Sequence, residues 1–349
     1  MNVCAVILAA GRGKRMNSFK PKVLHEVLGR PMIRYAVDAV TALKPKKIVI
    51  VVNSGADEVK RQVKDRPVSF VFQKKLLGTG NALAEAKKAL KGINRCTTVV
   101  INGDSPLITG KTLKTFLKKH MTCGNALSVG FFIDEALSGY GRILRDESGM
   151  VTGIIEDKHA TSDEKRRAVE LNAGIYAIEP PVMDYLSRLR LHGSSGEYYL
   201  TDVVREAVKA RRKVEAYECP AEEVRGVNTR AELFQAARIL NRKIILKWMM
   251  KGVTFMDPAM TIVHPSVKIS KDTVIHPNTY FEGSTSIGRN CVIYPGVRIC
   301  GSSIGSGVIV KDNTLIEQSW IKSGSVIGPL VHLKNNKVEA CLPVGRDEG

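Results

Sequence analysis

Up to about residue 228, short β-branched and aliphatic runs alternate with helical patterns: Val3 to Ala10, Lys47 to Val52, Val68 to Phe72, Thr97 to Ile101 and Ala126 to Phe132. Between the first two runs, Met32, Ile33, Ala36, Val37, Val40 and Leu43 recur at helical spacing behind Pro31. A proline suits the start of a helix because the amide it lacks would have no partner there. Strands separated by helices of this length predict βαβ units, hence an α/β fold with a mostly parallel sheet covered on both faces. Ligands of such sheets bind beyond the carboxyl ends of the strands.

Leu233, Ala237, Leu240, Ile244 and Trp248 predict one long connecting helix, ended by Gly252. After Asp257-Pro258 the period becomes six. Val263, Ile269, Ile275, Phe281, Ile287, Ile293 and Ile299 stand at six-residue steps; Ile304 and Ile321 each follow a five-residue step, and Val310, Ile316, Ile327 and Leu333 resume the count. Aliphatics at this period, with Gly, Ser, Asn and Thr between them, predict a parallel β-helix in which each short strand buries one side chain in a stacked ladder. The expected organisation is therefore a domain over 1–228, a connecting helix over 229–252, a hexapeptide-repeat β-helix over 257–334 and an irregular tail over 335–349.

A chain of 349 residues with 44% hydrophobic and 25% charged residues is a soluble globular protein of about two domains. No apolar run reaches the roughly 18 residues that span a bilayer. The first apolar stretch precedes its basic cluster (Arg12, Lys14, Arg15), the reverse of a secretory signal, so a cytoplasmic location is expected, with no membrane partner. The seven cysteines, at 4, 96, 123, 219, 291, 300 and 341, form no C-x-x-C pair and no zinc spacing, and read as buried hydrophobes. The net charge of +19 invites a polyanionic ligand. It is spread over many short clusters, such as Lys44 to Lys47 and Lys209 to Lys213, without interleaved aromatics, so solvated helix faces are expected and no nucleic-acid partner.

The chemistry begins after the first strand, at Leu8-Ala9-Ala10-Gly11-Arg12-Gly13-Lys14-Arg15-Met16, followed by Pro21-Lys22. A glycine-rich turn there lets backbone amides approach phosphate oxygens. A dinucleotide fingerprint is excluded because Met16 stands where its third glycine belongs, and a P-loop because a single residue separates Gly11 from Gly13. Arg15 and Lys22 supply fixed charges for a triphosphate.

The stretch L-A-A-G-x-G-x-R-M followed by P-K resembles the signature of sugar-phosphate nucleotidylyltransferases. Leu77-Gly78-Thr79-Gly80-Asn81-Ala82, Gly139-Tyr140-Gly141-Arg142-Ile143 and Gly196-Glu197-Tyr198-Tyr199-Leu200-Thr201-Asp202 narrow it. With the hexapeptide tail, the chain resembles the bacterial bifunctional N-acetylglucosamine-1-phosphate uridylyltransferase/glucosamine-1-phosphate acetyltransferase family from residue 1 to about 330. The resemblance implies a Rossmann-like nucleotidyltransferase sheet, a left-handed hand for the short β-helix and assembly as a homotrimer through it. It also implies a Mg²⁺-dependent reaction of UTP with N-acetylglucosamine 1-phosphate, giving UDP-N-acetylglucosamine, a cell-wall and lipopolysaccharide precursor, and pyrophosphate.

By the same resemblance, Leu8, Ala9, Ala10 and Gly11 hold the triphosphate by backbone, Arg15 the leaving pyrophosphate and Lys22 the reacting phosphates. Gln73, Gly78 and Thr79 read uracil. Asp104 and Asn228 hold Mg²⁺, and Asn102 and Gly103 complete the segment ahead of Asp104. Gly141, Glu156, Asn172 and Thr201 grip the acetylated sugar. The residues alone leave other roles open: a turn or cap for Asp104, a helix N-cap for Asn228, a solvated hairpin carboxylate for Glu156 and a turn for Asn172.

Departures from the family lie at Leu76, where many members have a second glutamine, at Asn102 for a frequent tyrosine and at Ala173 for a frequent threonine. The repeat stops near Leu333, with Lys334-Asn335-Asn336 in place of an arginine-containing segment. His264, His276 and His332 remain as conceivable acetyl-transfer bases, but the first two read as equivalent surface positions two steps apart, so acetyltransferase activity is expected to be absent. The alternatives are the same chemistry on glucose 1-phosphate or another sugar, or with dTTP, and a non-catalytic nucleotide-sugar-binding subunit.

Overall fold

The computed structural model describes residues 2–344 apart from 12, 54, 94–95, 135–136, 194 and 340–342. Arg12, Cys341 and the end of the expected tail lie outside the described residues. The chain divides into two compact units, Met1–Leu233 and Phe234–Gly349.

In the first unit, nine strands among the described residues form one sheet. They are β1 (Val3–Leu8), β2 (Lys47–Val52), β3 (Ser69–Phe72), β4 (Thr97–Asn102), β5 (Leu127–Ile133), β6 (Arg142–Arg145), β7 (Val151–Ile155), β8 (Glu170–Ile178) and β9 (Val214–Glu218). Seven run in the order β9-β5-β8-β4-β1-β2-β3, and β6 pairs with β8 and β7. Both neighbours of β1 are parallel to it. The sheet is mostly parallel as expected, but β8 runs antiparallel between β4 and β5. Its register against β5 breaks between Asn172 and Tyr176.

The sheet is central because its strands are apolar on both faces. Ile7 and Ile101 face one core, with Ile33 and Val37 of helix α1 (Met32–Thr41); Val6 and Val100 face the other, with Leu83 of α2 (Gly78–Ala89). Alternate residues of one strand thus serve opposite layers. Pro31 sits immediately before α1 at φ −55°. Chain order places β2 on one side of β1 and β4 on the other, so the carboxyl ends of β1 and β4 mark the topological switch point. Three lysines pair along their own helices, Lys60 with Asp57, Lys88 with Glu85 and Lys209 with Glu206.

In the second unit, two- and three-residue strands stack into three parallel sheets. Partners are 18 residues apart at first, as in Val274 with Val292, and 17 apart once the five-residue steps intervene, as in Arg298 with Leu315. All thirteen residues of the hexapeptide ladder are buried, from Val263 at 0% to Leu333 at 7% exposure. Paired strands also occur outside the counted repeat: Thr254–Phe255 pairs with Val274–Ile275, Lys337–Val338 with Trp320–Ile321, and Pro343–Val344 with Val326–Ile327. The turn Pro258–Met260 separates Phe255 from the six-residue count, and Val338 lies among polar neighbours, so neither stands out in the sequence.

The long helix, α3, spans Arg230–Met249, and the chain leaves it through Gly252 at φ +86°. Its buried positions include Asn241, whose amide donates to the Thr261 carbonyl at 2.7 Å and accepts from the Val263 amide at 2.9 Å. One side chain thereby satisfies the backbone of the first counted strand.

Ile293 is fully buried in the ladder. Ile293→Ala is expected to cost roughly 2–5 kcal/mol, against about 0.5 kcal/mol or less for the exposed Lys322→Ala, read as the difference in urea unfolding of the second unit.

Candidate active site

The loops after β1 and β4 leave the sheet side by side because Leu8 is in register with Asn102. The Gly103 amide donates to the Leu8 carbonyl, and the Ala9 amide to the Val51 carbonyl, each at 2.9 Å. A cleft of about 740 Å³ opens there. Leu8, Ala9, Ala10, Gly11, Gly13, Lys14, Lys22 and Val23 form one wall, Gln73, Leu76, Gly78, Thr79 and Ala82 another, with Asn102, Asp104 and Glu197 between. Gly103 lies beneath, packed against Val23, Ala9 and Ile33 so closely that a Cβ would come within 3.2 Å of Val23.

Lys22 is the centre of this cleft's charge. Its ammonium forms an ion pair with Asp104 and donates to Asn228 Oδ1 at 2.9 Å, with the Lys22 and Asp104 side chains only 12% and 16% exposed. The stem of Lys22 runs against Gly13, which has φ +62°; a Cβ there would stand 2.7 Å from Lys22 Cβ. Glycine is therefore required twice over, for the left-handed backbone and for the space. The Val227 amide donates to the Asp104 carbonyl at 2.9 Å, bringing the 226–228 segment alongside.

Asn228 is not the helix cap. Thr229 precedes α3, its hydroxyl accepts from the Glu232 amide at 3.1 Å, and Glu232 accepts from the amides of Asn228 and Thr229 at 2.6 and 2.8 Å. This capping box frees the Asn228 side chain for Lys22. Among the described residues no group of three His, Cys, Asp or Glu could hold a metal. Asp104 and Asn228 nevertheless offer two oxygen donors converging on one point, which suits Mg²⁺ when phosphates and water complete its shell.

On the second wall, the buried Gln73 donates to the Gly78 carbonyl at 3.0 Å and to Asn81 Oδ1 at 2.8 Å. Gly78 has φ +90°, and a Cβ would meet the Tyr198 carbonyl at 2.5 Å. Thr79 accepts from the Leu200 amide at 3.1 Å, so the start of α2 is tied to the 196–202 segment.

The expected sugar residues form a second cluster that does not line the cleft. The Asn172 amide donates to the Gly141 carbonyl at 2.7 Å, and the Asn172 side chain donates to the Tyr176 hydroxyl at 2.8 Å and accepts from the Gly174 amide at 3.0 Å. The Asn102 side chain joins the two clusters: it packs over Gly174, where any side chain would collide with it. The Thr201 hydroxyl donates to Glu156 Oε1 at 2.8 Å. Burial raises the Glu156 carboxyl above the usual range, against the opposing pull of Thr201 and Lys158.

Arg15 is not brought into the cleft; it is exposed on the short turn Lys14–Met16, and its neighbour Lys14 lines the wall instead. Lys14 and Glu197 went without a role in the sequence reading, although both sit inside quoted motifs. Tyr140 was likewise missed; its hydroxyl accepts from the Gly226 amide at 3.2 Å, beside Asp104.

A MobA-like NTP transferase domain is matched over residues 5–155 and a GMPPB C-terminal domain over 258–341. The bifunctional protein GlmU of Thermodesulfovibrio yellowstonii is 40% identical over 334 residues, 95% of this chain and 73% of that protein. The chain belongs to the GlmU family. GlmU of Halalkalibacterium halodurans is 41% identical over 335 residues, with the same coverage of both chains. The crystal structure of UDP-glucose pyrophosphorylase complexed with UDP-glucose aligns at TM-score 0.55 and 20% identity, covering 70% of this chain and 100% of that one, a likeness of fold. Within the GlmU family, this chain is a nucleotidyltransferase with a C-terminal parallel β-helix. No helix among the described residues is long and apolar enough to cross a membrane.

Because the folded state raises the Glu156 pKa, it holds this proton more tightly than the unfolded chain does, and the ionised carboxylate weakens the fold. The penalty is absent below the ordinary carboxylate pKa and complete once the pH passes the raised value. Glu156→Gln is therefore expected to melt higher than the parent at pH 7, with the gap closing near pH 4, in parallel thermal scans.

Proposed function

We propose that this chain transfers UMP from UTP to N-acetylglucosamine 1-phosphate, releasing pyrophosphate and UDP-N-acetylglucosamine. The observation that carries the reading is the Lys22 ammonium held between Asp104 and Asn228 beside the glycine loop. The amides of the Leu8–Gly11 segment and Lys14 meet the triphosphate; the role of Arg15 on the leaving pyrophosphate rests on the family resemblance alone. The Gln73, Gly78 and Thr79 wall takes the base, and Gly141, Glu156, Asn172 and Thr201 the acetamido sugar.

The sugar phosphate is ionised at neutral pH and attacks the α-phosphorus in line, so no general base or covalent intermediate is required. Rate comes from holding the reactants and neutralising developing charge. Asp104 and Asn228 would hold Mg²⁺, which when bound neutralises phosphate oxygens. Lys22, which otherwise bridges those two oxygens, is then directed at the reacting phosphates. Trimers through the β-helix belong to the same proposal and rest on the family resemblance.

The reading is confined to nucleotidyl transfer. His264 Nε2 meets the Tyr280 hydroxyl at 2.9 Å, His276 stacks on Tyr294 at 5.0 Å and His332 pairs with Glu317 at 3.0 Å, contacts that by themselves assign no acetyl-transfer base. A second substrate reading is kept because Leu76 and Asn102 both line the cleft: the same transfer onto another sugar 1-phosphate or from dTTP.

The test is pyrophosphate release with Mg²⁺, crossing UTP, dTTP and CTP with N-acetylglucosamine, glucosamine and glucose 1-phosphates. Release confined to UTP with the acetylated sugar is expected, and loss by roughly two or more orders of magnitude in Lys22→Ala and Asp104→Ala. Release with another pair would move the substrate; none with any pair would leave a binding subunit.

A further inference from the structure

At the opposite end of β1 and β4 from the cleft, the Sγ atoms of Cys4 and Cys96 lie 2.8 Å apart, although 92 residues separate them. A disulfide needs about 2.05 Å, so bond formation requires an approach of less than about 1 Å. Cys4 belongs to β1, whereas Cys96 lies just ahead of β4, outside the ladder that fixes Val3 against Thr97 and Cys4 against Thr98. Two other buried thiols meet carbonyls instead: Cys291 reaches those of Arg289 and Gly305, and Cys219 that of Tyr217.

The pair is buried, Cys4 at 1% and Cys96 at 4% exposure, but it borders open space. Both cysteines line a second cavity, of about 420 Å³, with Lys87 and Leu90 from the α2 side and Pro180 and Met183 opposite. Nothing in nucleotidyl transfer uses this cavity, which lies across the sheet's length from Lys22 and Asp104.

We propose that Cys4 and Cys96 are a redox modification site, closing by exchange with a low-molecular-weight disulfide into a bond that pins the start of β1 to the start of β4. One thiol, losing its proton, attacks the small disulfide and expels one thiol; the second protein thiol then attacks the mixed disulfide and expels the other. Two protein thiols are oxidised and one small disulfide is reduced to two thiols, so electrons and protons balance. Burial pushes the Cys96 thiol up to about 12, which makes the thiolate scarce and the exchange slow in the folded protein.

Because the rate is limited by burial, the test is an equilibrium one. The full chain is unfolded, refolded in glutathione buffers from fully reduced to fully oxidised, and quenched with an alkylating agent. A peptide map without reductant is expected to show Cys4 joined to Cys96, the fraction rising with oxidised glutathione. The linked form is expected to melt roughly 5–15 °C above the reduced form, since the bond closes a long loop, with turnover unchanged. Cys4→Ser and Cys96→Ser should each abolish the link and the shift, and either one suffices if the other folds poorly. Free Cys4 and Cys96 in the most oxidised buffer, links to other cysteines instead, or a link without a melting shift would overturn the proposal.

Discussion

The ammonium of Lys22 is shared by two oxygens that the sequence places 82 and 206 positions away, and that sharing organises the nucleotidyltransferase unit. Asp104 arrives at the end of β4, Asn228 just before α3, and Lys22 from the loop after β1. A partly buried cation needs such partners, because an unpaired charge at that exposure would carry a desolvation cost. On the proposed function, a ligand bringing phosphates and a metal into the cleft would supply replacement partners for all three groups. The node thus ties the walls of the cleft to one another through the same groups that the proposed chemistry would use.

Its position follows from topology. β1 has a parallel neighbour on each side, reached by crossovers of opposite direction, so two loops diverge at its carboxyl end and leave a crevice. The apolar sequence of β1 permits this, since Val6 and Ile7 satisfy opposite layers. The antiparallel β8 then serves the other cluster: the register break between Asn172 and Tyr176 turns Asn172 and Gly174 towards Gly141 and Asn102.

Legibility in the sequence tracked periodicity. The hexapeptide ladder was read residue by residue because one buried aliphatic per short strand repeats thirteen times. Phe255 and Val338 fell outside it because a turn or polar neighbours interrupt the count. Strands β1 to β5 were visible as apolar runs, whereas β8 was not: Asn172, Ala173 and Gly174 look like a turn, and the segment is strand because Asn172 lies opposite Phe131 of β5 and Tyr176 to Ile178 pair with β4 and β5 beyond the break. The role of Asn228 was ambiguous as a lone asparagine, yet Thr229 and Glu232 carried a readable capping box that assigns the cap elsewhere. The proximity of Cys4 to Cys96 left no local signal at all, since it depends on strand order.

The central claim is that Lys22 and Asp104 act as one unit. A double-mutant cycle in the unfolding free energy of the ligand-free protein, with Lys22→Ala, Asp104→Ala and the pair together, tests it most directly. The account predicts that the double variant is destabilised no more than the worse single variant. Destabilisations that simply add would show that the two residues contribute independently and would contradict it.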